Sequence, residues 1–411
     1  MLPCSPAEAL QEKGKLMRRS TCPVIITVIA LFFCTLSLLL PGSFAHASPS
    51  PVPDTDTWIT NDDVRAIVQH DDITYIGGDF THVGPNTGFG VPIDAVSGKP
   101  VDTFPKVNGG VLACVSDGAS GWYIGGEFTR VGNEERNRLA RILADGSVDP
   151  SWTPGANASV YSLEVSGDTI YAGGMFTQVG GVPRNRLVAI DSDGDVDPGW
   201  DPGANNTVHA LAVSGNTVYA GGDFTSVGVV ARNRLAAIDT DGTVDPDWDP
   251  DANSAVVTLA VSGNTIYAGG WFTEVDGELR NYLAAIDSDG DVTAWDPDAS
   301  GHVNALVVSD ETIYAGGDFT FVSAEPRNHL AAIGTNGTVD PDWDPDANHT
   351  VYALAVSGDT IYAGGYFTSV RGVARNRLAA INSYGSVVPG WDPGANDTVY
   401  ALEVSVDTIY A

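Results

Sequence analysis

A five-residue element, Gly-Gly-x-Phe-Thr, returns seven times along this 411-residue chain at a nearly constant spacing. The steps between copies are 48 residues, except for one step of 47. The copies begin at Gly77, Gly125, Gly173, Gly221, Gly269, Gly316 and Gly364. A fixed period of this length is typical of propellers and solenoids, in which each repeat is one supersecondary unit.

Each repeat reads as four short strands. In the unit 351–398 the segments VYALAV, TIYAGGYF and RLAAI are apolar and β-branched, and Ser-Gly-Asp and Asn-Ser-Tyr-Gly turns separate them. A short fourth strand ends in Trp-Asp-Pro. Apart from the leader, no segment has a helical period, and short apolar runs between Gly and Asp are typical of strands. The sequence therefore predicts an all-β protein: a β-propeller of seven four-stranded 48-residue repeats plus a partial eighth.

The partial eighth repeat bears on how the ring closes. A further first strand, VYALEV, starts at Val399, and the segment TIYA follows it to the end of the printed sequence. Near the other end, Trp58 and the residues after it resemble the Trp-to-Val junction that opens each later unit. We expect residues 399–404 to lie between the inner strands that start at Val351 and Val64, with Trp58 supplying an outer strand to that blade.

Two recurring side chains have structural interpretations. We expect the Trp of the Trp-Asp/Thr-Pro element to pack one blade on the next, and the Arg of the Arg-Asn pair to tie blades together through a carboxylate. The paired glycines mark a close approach of neighbouring backbone. The tryptophans are Trp152, Trp200, Trp248, Trp295, Trp343 and Trp391, and the arginines are Arg136, Arg184, Arg232, Arg280, Arg327 and Arg375.

The first 57 residues have a different composition. An apolar run over 24–40 follows Arg18-Arg19 and precedes Ala45-His46-Ala47. This order predicts a signal peptide over 1–47 that is cleaved after Ala47; an uncleaved membrane anchor is the alternative. Residues 48–57 form a Pro-rich spacer and 58–411 the propeller. The predicted localisation is secreted, either extracellular or at the cell surface.

The charge of the chain excludes some partners. Lys and Arg number 20 against 52 Asp and Glu, which gives a formal net charge of −32 at pH 7. Such a surface repels phosphate backbones and anionic lipids. Nucleic acid and, after signal cleavage, the membrane surface are therefore excluded as main partners, and an extracellular protein or a glycan is predicted instead.

The repeated segments carry a family resemblance. The succession IYAGG-x-FT, RNRLAAI and WDPGAN resembles the bacterial secreted delta-60-type propeller repeat, over about residues 64–411. Its apolar-Tyr-x-Gly-Gly core is similar to kelch repeats, and the segment 93–104 in the divergent first unit is similar to quinoprotein propellers. The resemblance implies a β-propeller outside the cell. It implies no particular reaction, because propellers host both binding modules and enzymes.

No catalytic constellation stands out in the sequence. The histidines after residue 47 fall at scattered repeat positions and are interpreted as single substitutions: His70, His82, His209, His302, His329 and His349. Cys114 is alone in an apolar strand pattern. The sequence thus predicts a non-enzymatic binding scaffold without catalytic or metal-ligating residues. A secreted hydrolase or oxidoreductase that uses the propeller channel, and a structural repeat region of a larger cell-surface protein, are the alternatives. A non-repeating cluster of carboxylate, His and Tyr on the inner strands would favour an enzyme.

Two further expectations concern ligands. The turns Asp191-Ser-Asp193-Gly-Asp195 and Asp287-Ser-Asp289-Gly-Asp291 group hard oxygen ligands suited to Ca²⁺, although Asp-Gly hairpin geometry alone also explains them. No cofactor is predicted, and Ca²⁺ is left open.

The Arg-Asn loops and the Ala-Asn linkers emerge on one face of the ring, because strand direction alternates within a blade. We expect the ligand on that face, with no individual binding residue assigned.

Overall fold

All regular secondary structure in the described part of the chain is β-strand. The structure is a computed structural model that describes residues 58–60, 64–70, 73–78, 83–85, 88–101, 104–405 and 408–411. The predicted signal peptide and spacer lie outside these residues. Within them, no helix has the length and apolar character needed to cross a membrane.

The strands fall into three groups along the chain. The first unit contributes β1 (Trp58–Thr60), β2 (Val64–His70), β3 (Ile73–Gly78), β4 (Val83–Pro85) and β5 (Pro92–Asp94). Each of the next six units contributes five strands. They are β6 (Val111–Ser116), β7 (Trp122–Gly126), β8 (Arg130–Val131), β9 (Glu134–Glu135), β10 (Leu139–Ile142); β11 (Val160–Ser166), β12 (Thr169–Gly174), β13 (Gln178–Val179), β14 (Val182–Pro183), β15 (Leu187–Asp191); β16 (Val208–Ser214), β17 (Thr217–Gly222), β18 (Ser226–Val227), β19 (Val230–Ala231), β20 (Leu235–Asp239); β21 (Val256–Ser262), β22 (Thr265–Gly270), β23 (Glu274–Val275), β24 (Glu278–Leu279), β25 (Leu283–Asp287); β26 (Val303–Ser309), β27 (Thr312–Gly317), β28 (Phe321–Val322), β29 (Glu325–Pro326), β30 (Leu330–Gly334); and β31 (Val351–Ser357), β32 (Thr360–Gly365), β33 (Ser369–Val370), β34 (Val373–Ala374), β35 (Leu378–Asn382). The last group is β36 (Glu403–Ser405) and β37 (Thr408–Tyr410).

Each regular unit folds into one antiparallel blade. In the second of these units the inner strand β11 pairs with β12, and β12 pairs with β15. The fourth strand is reduced to a single bridge between Ile190 and Val196. The short hairpin β13–β14 lies in the loop between the second and third strands. The predicted four-stranded, 48-residue propeller unit is confirmed.

Seven blades form the ring. Blades 1 to 6 are built on the inner strands β6, β11, β16, β21, β26 and β31, and each of these strands lies beside the next. Blade 7 combines β36 and β37 from the C-terminal end with β5 from the first unit. Its inner strand β36 contacts both β31 and β6, which closes the ring.

The predicted closure is correct on one side and wrong on the other. As expected, the C-terminal strand β36 lies beside the strand that starts at Val351. Its other neighbour is the strand that starts at Val111, not Val64, because β5 pairs with β37 and carries the first unit into blade 7. The expected role of Trp58 is also wrong: β1 pairs with β4, and the outer segment of blade 7 is a single bridge from Pro100 to Ile93 of β5.

The blades pack through one repeated aromatic contact. The indole Nε1 of Trp200 donates to the backbone oxygen of Asp239 in the next blade at 3.1 Å, and the Trp200 ring lies 5.1 Å from that of Tyr171. Trp391 makes the equivalent contact across the closure, to the backbone oxygen of Asp94 at 3.3 Å. All six tryptophans are at least 95% buried, so their predicted role between blades is confirmed.

The paired glycines are required by close packing. A Cβ placed on Gly173 would lie 2.6 Å from Cγ1 of Val208 in the next blade. A Cβ on Gly174 would meet the backbone oxygen of Ser159 in its own blade. In both cases the added Cβ would lie closer than van der Waals contact allows, which confirms the predicted close approach of the backbone.

The repeated arginines act within a blade rather than between blades. Arg184 is buried, and its Nη1 and Nη2 donate to the backbone oxygens of Pro183 and Asp197, each at 2.8 Å. The carboxylate of Asp201, in the same unit, lies 3.6 Å away. The arginine therefore holds its loop against the outer segment of its own unit. The expectation that it ties neighbouring blades together is wrong.

Candidate functional site

Side chains that break the repeat gather on one face of the ring. The inner strands start on this face, and the second strands end on it with their Gly-Gly pairs, so we call it the upper face. Four positions in each unit vary there: the residue after Gly-Gly, the residue before the third strand, the residue before the inner strand, and the second residue of that strand. In blades 4 to 7 these positions, together with His349 beside one of them, hold a group that we call the arc: Trp271, Tyr282, His302, Asp318, His329, His349, Thr350, Tyr352, Tyr366, Arg377 and Tyr400.

The arc begins at the boundary between blades 4 and 5. The ring of His302 lies 5.2 Å from that of Trp271 and 5.5 Å from that of Tyr282. On its other side, Nδ1 of His302 is 3.7 Å from a carboxylate oxygen of Asp318. Trp271 is 50% exposed, so the indole offers an uncovered face to solvent.

The arc continues from blade 5 into blade 6 through a hydrogen bond. The hydroxyl of Thr350 donates to Oδ1 of Asp318 at 2.5 Å. The adjacent His349 ring is stacked 6.2 Å from His329 and lies edge-on to Tyr366 at 4.8 Å. These contacts hold imidazole and phenol rings side by side on the upper face.

The far end of the arc reaches blade 7. The guanidinium of Arg377 lies 5.5 Å from the centre of the Tyr366 ring, within the range of a cation–π contact. The rings of Tyr352 and Tyr400 lie 5.3 Å apart, and this pair joins blade 6 to blade 7. Tyr366 and Tyr400 are about half exposed, at 46% and 53%.

A smaller group occupies the same variable positions in blades 2 and 3. The ring of His209 lies 5.6 Å from Tyr161, and its Nε2 is 2.9 Å from a carboxylate oxygen of Asp223. The repeated aromatic residues, in contrast, are buried between blades. The upper face thus carries exposed rings next to imidazole, carboxylate, hydroxyl and guanidinium groups, which suits a ligand with both apolar faces and hydrogen-bonding groups.

The histidines were the signal that sequence reasoning missed. They look scattered along the chain, but the structure brings His302, His329 and His349 together on the arc. The available clue was their position within the unit, since His302 and His329 directly precede an inner and a third strand, and His349 lies two residues before an inner strand. His70 and His82 lie outside the side chains that the structure describes.

A second non-repeating group lies at the inner strands. Glu164 in β11 and Glu403 in β36 occupy positions that hold Ala212, Ala260 or Ala355 in other blades. Burial raises the pKa of Glu164 to about 8, with a further contribution from the charge of Glu403. Burial likewise raises the pKa of Glu403 to about 7.

This carboxyl pair lies on inner strands, which surround the central channel of the ring. The strands β11 and β36 are not neighbours, because β6 lies between them, and the charge of Glu403 still acts on Glu164 past that strand. Both side chains are only half-buried by surface area. They are thus surrounded by protein and still reached by water. Cys114 adjoins Glu403, and burial, with a smaller effect of the Glu403 charge, raises the pKa of its thiol.

The aspartate-rich turns use their carboxylates internally. Oδ1 of Asp191 accepts hydrogen bonds from the backbone NH groups of Asp193 and Asp195, at 3.0 and 2.9 Å. Asp287 does the same in the corresponding turn. The turn geometry therefore accounts for these residues. Across the described ranges, no group of three His, Cys, Asp or Glu side chains is arranged to hold a metal ion.

Comparison with known families agrees with this architecture. The model described as "Domain of unknown function (DUF5122) beta-propeller" matches five consecutive units, over residues 120–151, 168–199, 216–247, 264–292 and 309–342. The chain is thus a β-propeller repeat protein. No curated protein matches it.

Several solved structures are similar to this chain at low sequence identity. The computationally designed Ika8 protein is 15% identical, with a TM-score of 0.46 over 74% of this chain and 94% of its own. Virginiamycin B lyase from Staphylococcus aureus is 13% identical, with a TM-score of 0.45 over 78% and 97%. The extracellular domain of BT4673 from B. thetaiotaomicron is 15% identical, with a TM-score of 0.47 over 73% and 38%.

Proposed function

We propose that this protein is a secreted, non-enzymatic binding module that holds a glycan on the arc of its upper face. The proposal rests on the contrast between the repeated and the variable positions of each unit. The residues that pack the blades, which we call the frame of the ring, repeat almost unchanged for six units. The variable positions of blades 4 to 7, in contrast, bring together half-exposed rings and hydrogen-bonding groups. Exposed aromatic residues that are held in place by neighbours are typical of binding surfaces.

The chemistry of the arc favours a glycan over an extracellular protein. A sugar ring presents an apolar C–H face, which an exposed indole or phenol can cover, and hydroxyl groups at its edge. Trp271 and Tyr366 supply such rings, and Asp318 and Arg377 lie among them as acceptor and donor. The formal net charge of −32 disfavours polyanionic ligands, so we propose a neutral or weakly charged glycan.

Glycan-array binding followed by calorimetry with the purified protein tests this proposal. Trp271→Ala and Tyr366→Ala each remove an exposed ring, and we expect at least a tenfold loss of affinity for any glycan that is retained. Tyr384→Ala is the matched control, because Tyr384 is 79% exposed but lies in a turn on the opposite face. Equal losses of affinity for Tyr384→Ala and Tyr366→Ala would contradict glycan binding at the arc. If the protein instead binds a purified extracellular protein, and only the arc variants lose that binding, the ligand of the arc is a protein and not a glycan.

A second function is supported by the channel carboxyls. We propose it as the alternative: a secreted hydrolase in which Glu164 donates a proton, since its raised pKa keeps it protonated near neutral pH. Glu403 would be the second carboxyl of the pair. A glycosidase panel tests this directly. Turnover that is abolished in both Glu164→Gln and Glu403→Gln would establish the enzyme, whereas turnover that survives both substitutions excludes this mechanism.

A further inference from the structure

The described chain contains eight inner hairpins but only seven blades. The surplus hairpin is β2–β3, which pairs only with itself among the described strands. Its register matches that of the regular inner hairpins. Val64 pairs with Gly78 and Ala66 with Gly77, with the same irregularity between them that separates the Val351–Gly365 and Ala353–Gly364 pairs of blade 6.

Both ends of the chain can reach the inner position of blade 7. Thirteen residues separate β3 from β5, which is in blade 7, and twelve separate β32 from β35 within blade 6. On the other side, Val399 follows Trp391 by eight residues, the same spacing as from Trp343 to Val351. Neither connection is shorter than its counterpart in a complete blade. Chain connectivity therefore permits either hairpin beside β5.

We propose that β2–β3 and β36–β37 exchange at the inner position of blade 7, so that the ring closes in two mutually exclusive ways. In the form described above, the C-terminal hairpin occupies the position. In the second form, β3 pairs with β5, all strands of blade 7 come from the first unit, and the C-terminal hairpin is released.

Burial gives the observed form the lower free energy. In the observed form Ile409 is fully buried in the blade 7 core. The register of β2–β3 places polar Thr74 at that position and Gln69 at the position of Val404, which favours the C-terminal hairpin. The strands β2 and β3 are seven and six residues long, as in the regular inner hairpins, so the hairpin is long enough to fill the inner position.

The exchange changes which side chains the ring presents. By register, Arg65 takes the position of Tyr400 at the end of the arc, and Val68 takes the position of Glu403 at the channel. The contact between Tyr352 and Tyr400 is lost in the second form. If the proposed function is correct, a ligand that contacts Tyr400 selects the observed form. This last step rests on the proposed function, and the exchange itself does not.

Disulfide trapping in the full chain tests the exchange. With the four native cysteines replaced by Ala, Asp94→Cys is combined with Thr408→Cys to report the observed form, because these residues are paired. Asp94→Cys with Ile73→Cys reports the second form, in which Ile73 would hold the register position of Thr408. The matched control is Asp94→Cys with Thr312→Cys, since Thr312 holds that register position in blade 5 and cannot reach Asp94. Peptide mapping identifies each disulfide after mild oxidation.

We expect the 94–408 disulfide to form rapidly and the 94–73 disulfide slowly but well above the control. Adding Thr74→Ile to the reporter of the second form should accelerate the 94–73 disulfide roughly tenfold, because an apolar residue then enters the buried position. Formation of 94–73 at the control rate, both with and without Thr74→Ile, would overturn the exchange. This readout needs no ligand, so its failure is distinguishable from failure of the proposed function.

Discussion

The channel carboxyl Glu164 makes stability depend on pH in a direction that can be measured. Its pKa rises from an ordinary 4.5 to about 8 in the folded protein. Between these values the folded chain binds a proton that the unfolded chain has released. Stability therefore falls as the pH rises from about 5 to about 8, because the folded state must either keep the proton or bury a charge. Replacement by neutral Gln removes this dependence.

The size of the effect follows from the pKa. A rise of this extent corresponds to about 5 kcal/mol of unfolding free energy at high pH. The side chain is half-buried by surface area and reached by water, and water screens part of this cost. We therefore expect the unfolding free energy of Glu164→Gln at pH 9 to exceed that of the unsubstituted protein by about 2 kcal/mol. At pH 4.5 both proteins carry a neutral side chain here, and the gain should nearly vanish.

Urea unfolding at pH 4.5, 7 and 9 measures this difference. Glu278→Gln is the matched control, since Glu278 is an exposed residue of the loop hairpin β23–β24 and its replacement should change stability little at any pH. A stability gain for Glu164→Gln that is the same at pH 4.5 and pH 9 would refute the reasoning. Glu403→Gln adds a second check. It removes the charge that adds to the effect of burial on the pKa of Glu164, so the upper end of the pH range over which stability falls should move down.

Further predictions concern the frame of the ring. Trp200→Ala removes a buried indole together with its hydrogen bond to Asp239, and we expect a loss of about 3–5 kcal/mol in urea unfolding, with a smaller loss for Trp200→Phe. Gly173→Ala places a Cβ 2.6 Å from Val208 and should lower the thermal midpoint by several degrees, whereas Gly390→Ala, which meets no atom within 4 Å, should not. Because turn geometry accounts for Asp191 and Asp287, adding Ca²⁺ or a chelator should leave the thermal midpoint unchanged; a rise with Ca²⁺ that Asp191→Asn abolishes would contradict this.

The frame of the ring was predictable because it repeats. The six copies of the Trp-Asp/Thr-Pro element indicate one packing requirement, and the seven copies of Gly-Gly indicate another, so each interpretation rests on several observations. The contact from Trp200 to Asp239 illustrates this: its counterparts in the other blades use the same atoms at similar distances. Sequence periodicity reveals such requirements directly.

Closure and the candidate site were harder to predict because they depend on differences between copies. The first unit alone does not show that β5 pairs with β37 rather than with β3. The relevant difference is between Ile409, which is buried, and polar Thr74, and these two residues are over 300 positions apart in sequence. The arc has the same origin. His302 and His349 come from different units, and only the ring brings them onto one surface.

The one short unit shows where the ring accepts changes of length. The missing residue of the 47-residue step falls between Asp287 and Trp295, yet Ile286 still bridges to Val292 and the Trp295 indole still donates to Gly334 at 2.9 Å. The outer segment takes up the deletion because a single bridge fixes it. Peptide tags or sensor sequences inserted after such a bridge, as after Val244 in blade 3, should therefore be accommodated at the rim without disturbing the interior.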